Sequence, residues 1–432
     1  MSLRFGTDGV RAEALTVLTT KYAAALAAAA AQVLGGGEWL IGRDTRESGP
    51  ALEAAVVAGL ASAGARPVAL GVIPTPGLAW LSARRGVPAA MITASHNPWQ
   101  DNGVKFFAPG GLKLSDDVER AIEALLAPDH PLPPSVVASH GDNAAYGAHL
   151  VAISGSLDGV RIVLDCANGA MSAVAPGVFR ALGADVVVIH DAPDGRNIND
   201  RCGATHTASL AAAVVAGGAQ LGLAFDGDGD RVIAIDHLGN VVDGDRLIAL
   251  AAVQLRDEGA LHHNTVVVTV MSNLGFHKAM AEAGIDVATT AVGDRYVLES
   301  LDAGNYSVGG EQSGHIINRD LATTGDGLLA GLRLARSVHD SGRPLAELAG
   351  QAMTSYPQVL VNVRVSERHP HAAAELAAEI EAAEGSLGGD GRILIRASGT
   401  EPLIRVMVEA ATLTTAQAVA DELAEHVHAR FG

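Results

Sequence analysis

Four short polar segments of this 432-residue chain carry side chains in combinations that an ordinary turn does not need. The first is Thr93-Ala94-Ser95-His96-Asn97-Pro98, followed by Asp101-Asn102-Gly103-Val104-Lys105. A hydroxyl here precedes an imidazole, and an ammonium group follows ten residues on. Ser95 is therefore a candidate nucleophile or phosphoryl carrier. The Gly-x-Ser-x-Gly elbow of hydrolases is absent, because Thr93 and Asn97 flank the serine, so acyl transfer is disfavoured. An Asx-Pro turn with a capping serine is the alternative reading.

The second segment, Asp226-Gly227-Asp228-Gly229-Asp230-Arg231, alternates three carboxylates with glycines that let the backbone curl. Converging carboxylates repel unless a hard cation sits among them. An EF-hand would need Gly at Arg231 and Glu at His237, so that motif fails. Few acidic ligands, with room for a phosphate oxygen, favour Mg²⁺ over Ca²⁺. A solvated acidic turn is the alternative. The third, Gly309-Gly310-Glu311-Gln312-Ser313-Gly314-His315, offers an acceptor, an amide, a hydroxyl and an imidazole, a mixture suited to sugar hydroxyls and proton transfer. The fourth, Arg396-Ala397-Ser398-Gly399-Thr400-Glu401-Pro402 with Arg405 beyond it, places two guanidinium groups, two hydroxyls and the N–H groups beside Gly399 in a cradle for a dianion. A plain glycine-rich turn and a surface hairpin are the bland readings of these two. Taken together, a hydroxyl carrier, a metal loop, a polyol loop and a separate phosphate cradle describe phosphoryl transfer on a phosphorylated sugar.

Each segment follows a short β-branched run, and such runs alternate with alanine-rich helical windows along the chain, the pattern of α/β layers with largely parallel sheets. Ligands bind at strand ends in such sheets. The expected elements include strands at 39–41, 66–70, 161–164, 186–189, 220–225 and 265–270. Helices are expected at 51–63, after the capping Ser115, at 209–216 and near Asp245. The chain is expected to divide into residues 1–150 with the serine loop, 151–244 with the metal loop, 245–355 with the sugar loop, and 356–432 with the phosphate loop. The first boundary rests on four prolines within Ala127–Pro134, which cannot continue a helix. The last segment reads as a small α+β domain: strand 359–365, helix 372–383, strands 393–396 and 403–409, and a helix from Thr415.

Composition fits a folded, acidic protein. The formal charge is −18, 48% of residues are hydrophobic, and Gly and Pro together make up about 16%, below the level of low-complexity chains. The negative balance disfavours nucleic acid and anionic membranes as partners. Cys166 and Cys202 form neither a disulfide framework nor a cysteine zinc motif, and nothing near Met1 resembles a signal peptide, so a cytoplasmic setting is expected. The uncharged run Thr207–Phe225 is broken by Gly217 and Gly218 into a helix and a strand, so no membrane span is expected.

These four segments, with Phe5-Gly6-Thr7-Asp8-Gly9-Val10-Arg11 near the start, resemble the α-D-phosphohexomutase superfamily over nearly the whole chain and in the same order. Asp101 to Phe107, Val270-Met271-Ser272-Asn273-Leu274-Gly275, Val292-Gly293-Asp294-Arg295-Tyr296 and Glu311-Gln312-Ser313-Gly314-His315 are similar to its branch acting on glucosamine phosphates. The resemblance implies three related α/β domains plus a smaller C-terminal α+β domain around a central cleft. It implies interconversion of glucosamine 6-phosphate and glucosamine 1-phosphate, with glucose or mannose phosphates as the alternative substrates and a catalytically silent sugar-phosphate binder as the alternative from another class. It further implies phosphoserine at Ser95, Mg²⁺ held by that group with Asp226, Asp228 and Asp230, priming by a hexose 1,6-bisphosphate, and a possible homodimer. On this reading Lys105 is the leading general base, given a pKa lowered by burial or by cations such as Arg11, with His315 and His96 as rivals. Arg231 orients the metal loop or neutralises phosphate, Glu311 and Ser313 bind the sugar, and Arg396, Ser398, Gly399, Thr400 and Arg405 bind its phosphate. Closure of the last domain about Tyr356-Pro357 would exclude water. The resemblance departs after Arg11, where Ala12 replaces the family's glycine. Alanine disfavours a positive φ, so the turn holding Arg11 is expected to differ.

Overall fold

The computed structural model describes residues 3–6, 8–126, 143–397 and 402–432. Its contacts divide the chain into two compact units, residues 1–271 with 284–352, and residues 272–283 with 353–432. The proline-rich stretch 127–134 and Ser398, Gly399 and Thr400 lie outside the described residues.

The first unit contains three sheets built on one plan. In the first, Glu38–Arg43 pairs in parallel with Arg66–Val72 and with Ala89–Ile92. Asp101–Ala108 then runs antiparallel to Ala89–Ile92, and Val10–Glu13 pairs antiparallel beyond it. In the second, Arg161–Asp165 pairs in parallel with Asp185–Ile189 and Leu221–Phe225, and Val232–Asp236 is antiparallel to Leu221–Phe225. In the third, Thr265–Thr269 pairs in parallel with Asp286–Thr290 and Val308–Gly310, and Ile316–Asn318 is antiparallel to Val308–Gly310. Each of the first three polar segments thus occupies the same position, the connection between the last parallel strand and its antiparallel neighbour.

Local chemistry explains the elements. Central strands such as Leu221–Phe225 and Thr265–Thr269 are buried throughout, as strands covered on both faces must be. Helices begin at side chains that satisfy their free N–H groups: Thr19 accepts from the Tyr22 N–H, Asp243 from Arg246 and Asp326 from Leu329. Thr20–Leu34 is an alanine-rich helix that packs closely on Gly49–Ser62, where a Cβ on Gly59 would stand 2.1 Å from the Ala24 carbonyl oxygen. The first sheet buries one core around Trp39, Val56 and Phe106 and another around Ile73, Leu78 and Phe107. No helix among the described residues is long and apolar enough to cross a membrane.

The second unit holds an antiparallel sheet in which Leu403–Ala410 lies between Gln358–Arg364 and Gly391–Ala397, covered by the helix Leu413–Phe431. The single helix expected over 372–383 is instead two, Ala372–Glu375 and Ala377–Leu387. Leu376 leaves helical geometry at φ −104° and ψ 18° and is buried in the core of this unit. The segment 272–283 joins the unit through polar contacts. The buried Glu409 carboxylate accepts from the Leu274 N–H at 2.9 Å, the Asn273 amide at 3.1 Å and Arg392 Nε at 3.0 Å. The Asn273 side chain also donates to the Tyr356 carbonyl at 2.9 Å and accepts from its N–H at 2.8 Å. Tyr356, where a hinge was expected, is therefore pinned inside this unit. The 150/151 division falls within the helix Asn143–Ser154.

Candidate active site

Ser95 is buried and adopts φ +52°, a left-handed conformation that a serine holds only when its surroundings enforce it. The Thr93 hydroxyl accepts from the Ser95 N–H at 2.9 Å. This backbone turn delivers Ser95 Oγ to Asp226 Oδ2, to which it donates at 2.6 Å. The Asp226 loop is wound about its own first carboxylate, since Oδ1 accepts from the N–H groups of Gly229 at 3.1 Å and Arg231 at 3.2 Å. Gly227 lets this loop lie against the serine turn; a Cβ there would meet the Ser95 carbonyl oxygen at 2.6 Å.

Asp226, Asp228 and Asp230 are all buried, and their ligand oxygens lie within 4.8 Å of one another. Asp228 Oδ1 is buried without a hydrogen-bond partner among the described residues, and Asp230 Oδ1 meets His315 Nδ1 only at the longer distance of 3.7 Å. Buried, unpartnered carboxylate oxygens are costly unless a cation takes them up. The donor set is all oxygen, which fits a hard divalent ion. A second cluster, Asp165, His190 and Cys202, is a poorer candidate. Both Asp165 oxygens already accept backbone N–H groups, from Ala167 and Gly203, and burial pushes the Cys202 thiol up to about 12.

A ring of acidic and basic side chains runs through Asp230, one of the trio. Lys105 Nζ lies 2.9 Å from Asp228 Oδ2, 3.3 Å from Asp230 Oδ2 and 3.2 Å from Asp8 Oδ2. Lys113 Nζ bridges Asp8 Oδ1 at 3.0 Å to Asp294. His315 completes the ring, with Nε2 3.4 Å from Asp294 Oδ2 and Nδ1 3.7 Å from Asp230 Oδ1. The expected lowering of Lys105 does not occur. Burial favours its neutral amine, but Asp228, Asp8 and Asp230 outweigh burial and hold it well above the usual lysine value. His315 is likewise raised, Asp230 and Asp294 overcoming its burial. His96 Nδ1 lies 3.4 Å from Ser95 Oγ, and burial, with Arg231 and Arg11 beside the ring, pushes it down to about 4. Lys105 is therefore held in its charged form and His315 is biased toward its own, while His96 near neutral pH carries a free lone pair.

Over these groups lies a cavity of about 410 Å³, lined by Arg11, His96, Asp230, Arg231, Glu311 and His315 among the expected residues. Arg4, Asp8 and Asp294 line it as well. Arg11 Nη2 donates to Asp8 at 2.6 Å. It sits on the strand Val10–Glu13, and Ala12 is not among the residues with positive φ, so alanine is unstrained there. Glu311 Oε1 accepts from the Gly293 N–H at 3.0 Å. Ser313 is exposed on the same turn and does not line the cavity. Sequence reasoning gave no role to Asp8, Lys113, Asp294 or Thr75, whose hydroxyl donates to Asp228 Oδ2 at 2.5 Å. The signal for Asp8 and Asp294 was present, since both lie in the quoted glycine-rich segments. In the second unit, Arg396 and Arg405 are direct cross-strand partners. Like charges placed opposite one another are unfavourable without an anion between them. Burial and Arg405 accordingly pull Arg396 below the usual arginine value.

Models of the four phosphoglucomutase/phosphomannomutase domains match residues 2–130, 144–239, 243–356 and 360–426, the first three described as α/β/α domains I to III and the last as the C-terminal domain. A phosphoglucosamine mutase of Frankia casuarinae is 54% identical, with 97% of each chain covered, and one of Rhodococcus jostii is 52% identical over 98% of this chain and 99% of that one. The chain belongs to the phosphoglucosamine mutases of the α-D-phosphohexomutase superfamily. Phosphohexomutases of solved structure share its fold. A Thermus thermophilus protein described as a putative phosphomannomutase superposes with a TM-score of 0.83 at 25% identity, covering 99% of both chains. The Aspergillus fumigatus N-acetylphosphoglucosamine mutase, solved with GlcNAc-6P and magnesium, superposes with a TM-score of 0.71 at 19% identity, covering 100% of this chain and 96% of that one. The phosphohexomutase architecture of three α/β domains and a distinct C-terminal domain is thus that of this chain.

Proposed function

We propose that this chain interconverts glucosamine 6-phosphate and glucosamine 1-phosphate through a phosphorylated Ser95 and a 1,6-bisphosphate intermediate, on the route to UDP-N-acetylglucosamine. The observation that carries this reading is Ser95 Oγ, 2.6 Å from Asp226 in a buried trio of aspartates. The relatives above supply the amino sugar as substrate. PhosphoSer95 gives its phosphoryl group to the free hydroxyl of the bound monophosphate; the bond from phosphorus to Oγ breaks, a bond to the sugar oxygen forms, and the hydroxyl proton passes to a protein base. Lys105, as a cation, and His315 as a hydrogen-bond donor stabilise the transferring oxygens, and His96 offers the lone pair for the proton. Asp226, Asp228 and Asp230, with the phosphoserine, hold Mg²⁺, which offsets negative charge on the transferring group. Arg11 and Arg231 neutralise phosphate in the cavity, Glu311 takes sugar hydroxyls, and Arg396 and Arg405 take the phosphate that is not reacting. Return of the second phosphate to Ser95 regenerates the enzyme, so a hexose 1,6-bisphosphate primes it. The enzyme works in the cytoplasm, as a homodimer.

A side-by-side turnover assay on glucosamine, glucose and mannose phosphates, with magnesium and 1,6-bisphosphate present, tests the assignment. The glucosamine phosphates should give the highest kcat/KM by at least about 10-fold, a difference within reach of one hydrogen-bonded substituent. A preference for glucose or mannose phosphate would instead place the chain with the phosphoglucomutases and phosphomannomutases.

A further inference from the structure

The mechanism above uses the side chain of Ser95, but nothing in it explains what holds the strained serine backbone. Arg46 sits behind that turn, 1% exposed, and every one of its five N–H groups is used. Nε donates to Asp44 Oδ2 at 2.9 Å. Nη2 donates to the carbonyl oxygens of Ser95 at 2.9 Å and Asn97 at 2.8 Å. Nη1 donates to those of Asp101 at 2.9 Å and Pro98. The Asp44 carboxylate is itself shared, accepting from the Arg46 N–H at 3.0 Å and the Thr93 hydroxyl at 2.7 Å.

A second donor is Asn199, on the segment that follows the strand Asp185–Ile189. Its amide donates to the same two oxygens, Ser95 at 2.9 Å and Asn97 at 3.1 Å. Asn199 is 8% exposed and itself has φ +57°. Its backbone N–H is fixed to the Ala167 carbonyl at 2.9 Å. The two supports are tied together. Thr45 donates to the Asn168 carbonyl at 2.6 Å, and Arg196 grips Glu47 with two bonds of 2.8 and 2.9 Å.

We infer that Arg46 and Asn199 are positioning residues of the phosphotransfer, a two-residue carbonyl clamp that fixes the left-handed backbone of Ser95 and thereby aims Oγ at the aspartate trio. The argument is geometric. Four oxygens of one turn face a single planar guanidinium, an arrangement that a lysine, with three donors radiating from one atom, does not reproduce. The Ser95 carbonyl accepts from both residues, so rotating the peptide to a relaxed φ would break both bonds together. Neither residue reaches the cavity or the reacting atoms, so each acts only through the backbone it holds.

This inference rests on Ser95 as the phosphoryl carrier, and the experiment separates the two. Arg46→Lys, Asn199→Ala and Ser95→Ala are compared with the parent for kcat and KM on glucosamine 6-phosphate, for the rate at which 1,6-bisphosphate adds a phosphoryl group by intact mass, and for melting temperature. Arg46→Lys should lower kcat about 100-fold and Asn199→Ala about 10-fold, the scale of a sub-ångström to 1 Å misplacement, with KM within about 2-fold of the parent. Phosphorylation of Ser95 should slow in the same ratio. A merely structural role would lower the melting temperature or the folded fraction and leave kcat per folded molecule unchanged. If Arg46→Lys does not fold, Asn199→Ala decides. Parent-like kcat in Asn199→Ala, alongside a dead Ser95→Ala, overturns the clamp and leaves the carrier standing. Parent-like turnover in Ser95→Ala overturns the carrier itself.

Discussion

A buried carboxylate trio must lose protons before it can take a cation, and Asp226 shows where on the pH scale this happens. Burial, with Asp230 and Asp228 beside it, pushes this carboxyl up to about 8, while Lys105 and His315 hold Asp230 well below the usual range. Because the folded pKa of Asp226 lies above the ordinary value, its contribution to the stability of the metal-free protein is fully present in acid and is lost as pH rises through about 8. Magnesium needs the ionised form, so its affinity follows the opposite course. The expected outcome is a rise in melting temperature on adding magnesium that is small at pH 6 and grows through pH 8.5, as differential scanning fluorimetry would record. Asp228→Asn should flatten that dependence and weaken magnesium binding by about 10-fold or more, within the cost of removing one charged ligand. At this scale the sequence was informative about residue types brought close by spacing, such as Ser95 and the alternating aspartates. It was silent on the protonation of Lys105, because the carboxylate that controls it lies 123 residues away along the chain. It was equally silent on Arg46 and Asn199, whose partners are backbone atoms and leave no trace in side-chain spacing.

At the scale of elements, the site depends on how closely two turns approach. Gly227 lies under the Ser95 carbonyl and beside the Asn199 amide, at 2.6 and 2.8 Å from where a Cβ would stand. Gly227→Ala should therefore push the metal loop away from the serine turn. The expected cost is about 1 to 3 kcal/mol of stability, as for other overpacked sites. Loss of kcat should be larger than that destabilisation suggests, with slower phosphorylation of Ser95 by 1,6-bisphosphate seen by mass. Unchanged phosphorylation would mean that the turns tolerate the extra methyl group. Strands and helices of the first unit were legible because β-branched runs and alanine-rich windows alternate cleanly. The helix over 372–383 was misread because its alanine-rich composition hides the break at Leu376, which burial of one leucine in the core imposes.

At the scale of the whole molecule, sequence patterning identified three α/β units and a different C-terminal one, but not which pieces of chain belong together. Residues 272–283 group with the C-terminal unit through Asn273, Leu274 and Glu409, contacts between residues about 135 apart that no local pattern announces. In that unit Arg396 and Arg405 face one another across two strands. Arg405→Ala should raise KM for the glucosamine monophosphates about 10-fold or more, as expected when a charged hydrogen bond to phosphate is lost, while leaving binding of free glucosamine unchanged in calorimetry. Equal losses for both would mean that these arginines do not serve phosphate. The position shared by the polar connections has a further meaning. In each sheet of the first unit the chemistry is carried by the bend between one parallel strand and its antiparallel neighbour, and two of these bends are also tied by backbone hydrogen bonds to chain outside their own sheets, as Asp228 is to Thr75 and Gly314 to Val232. One scaffold is thus used three times over, each copy presenting a different reactive bend at the same place, and the bends bind their neighbours so closely that a change in one is felt by the next.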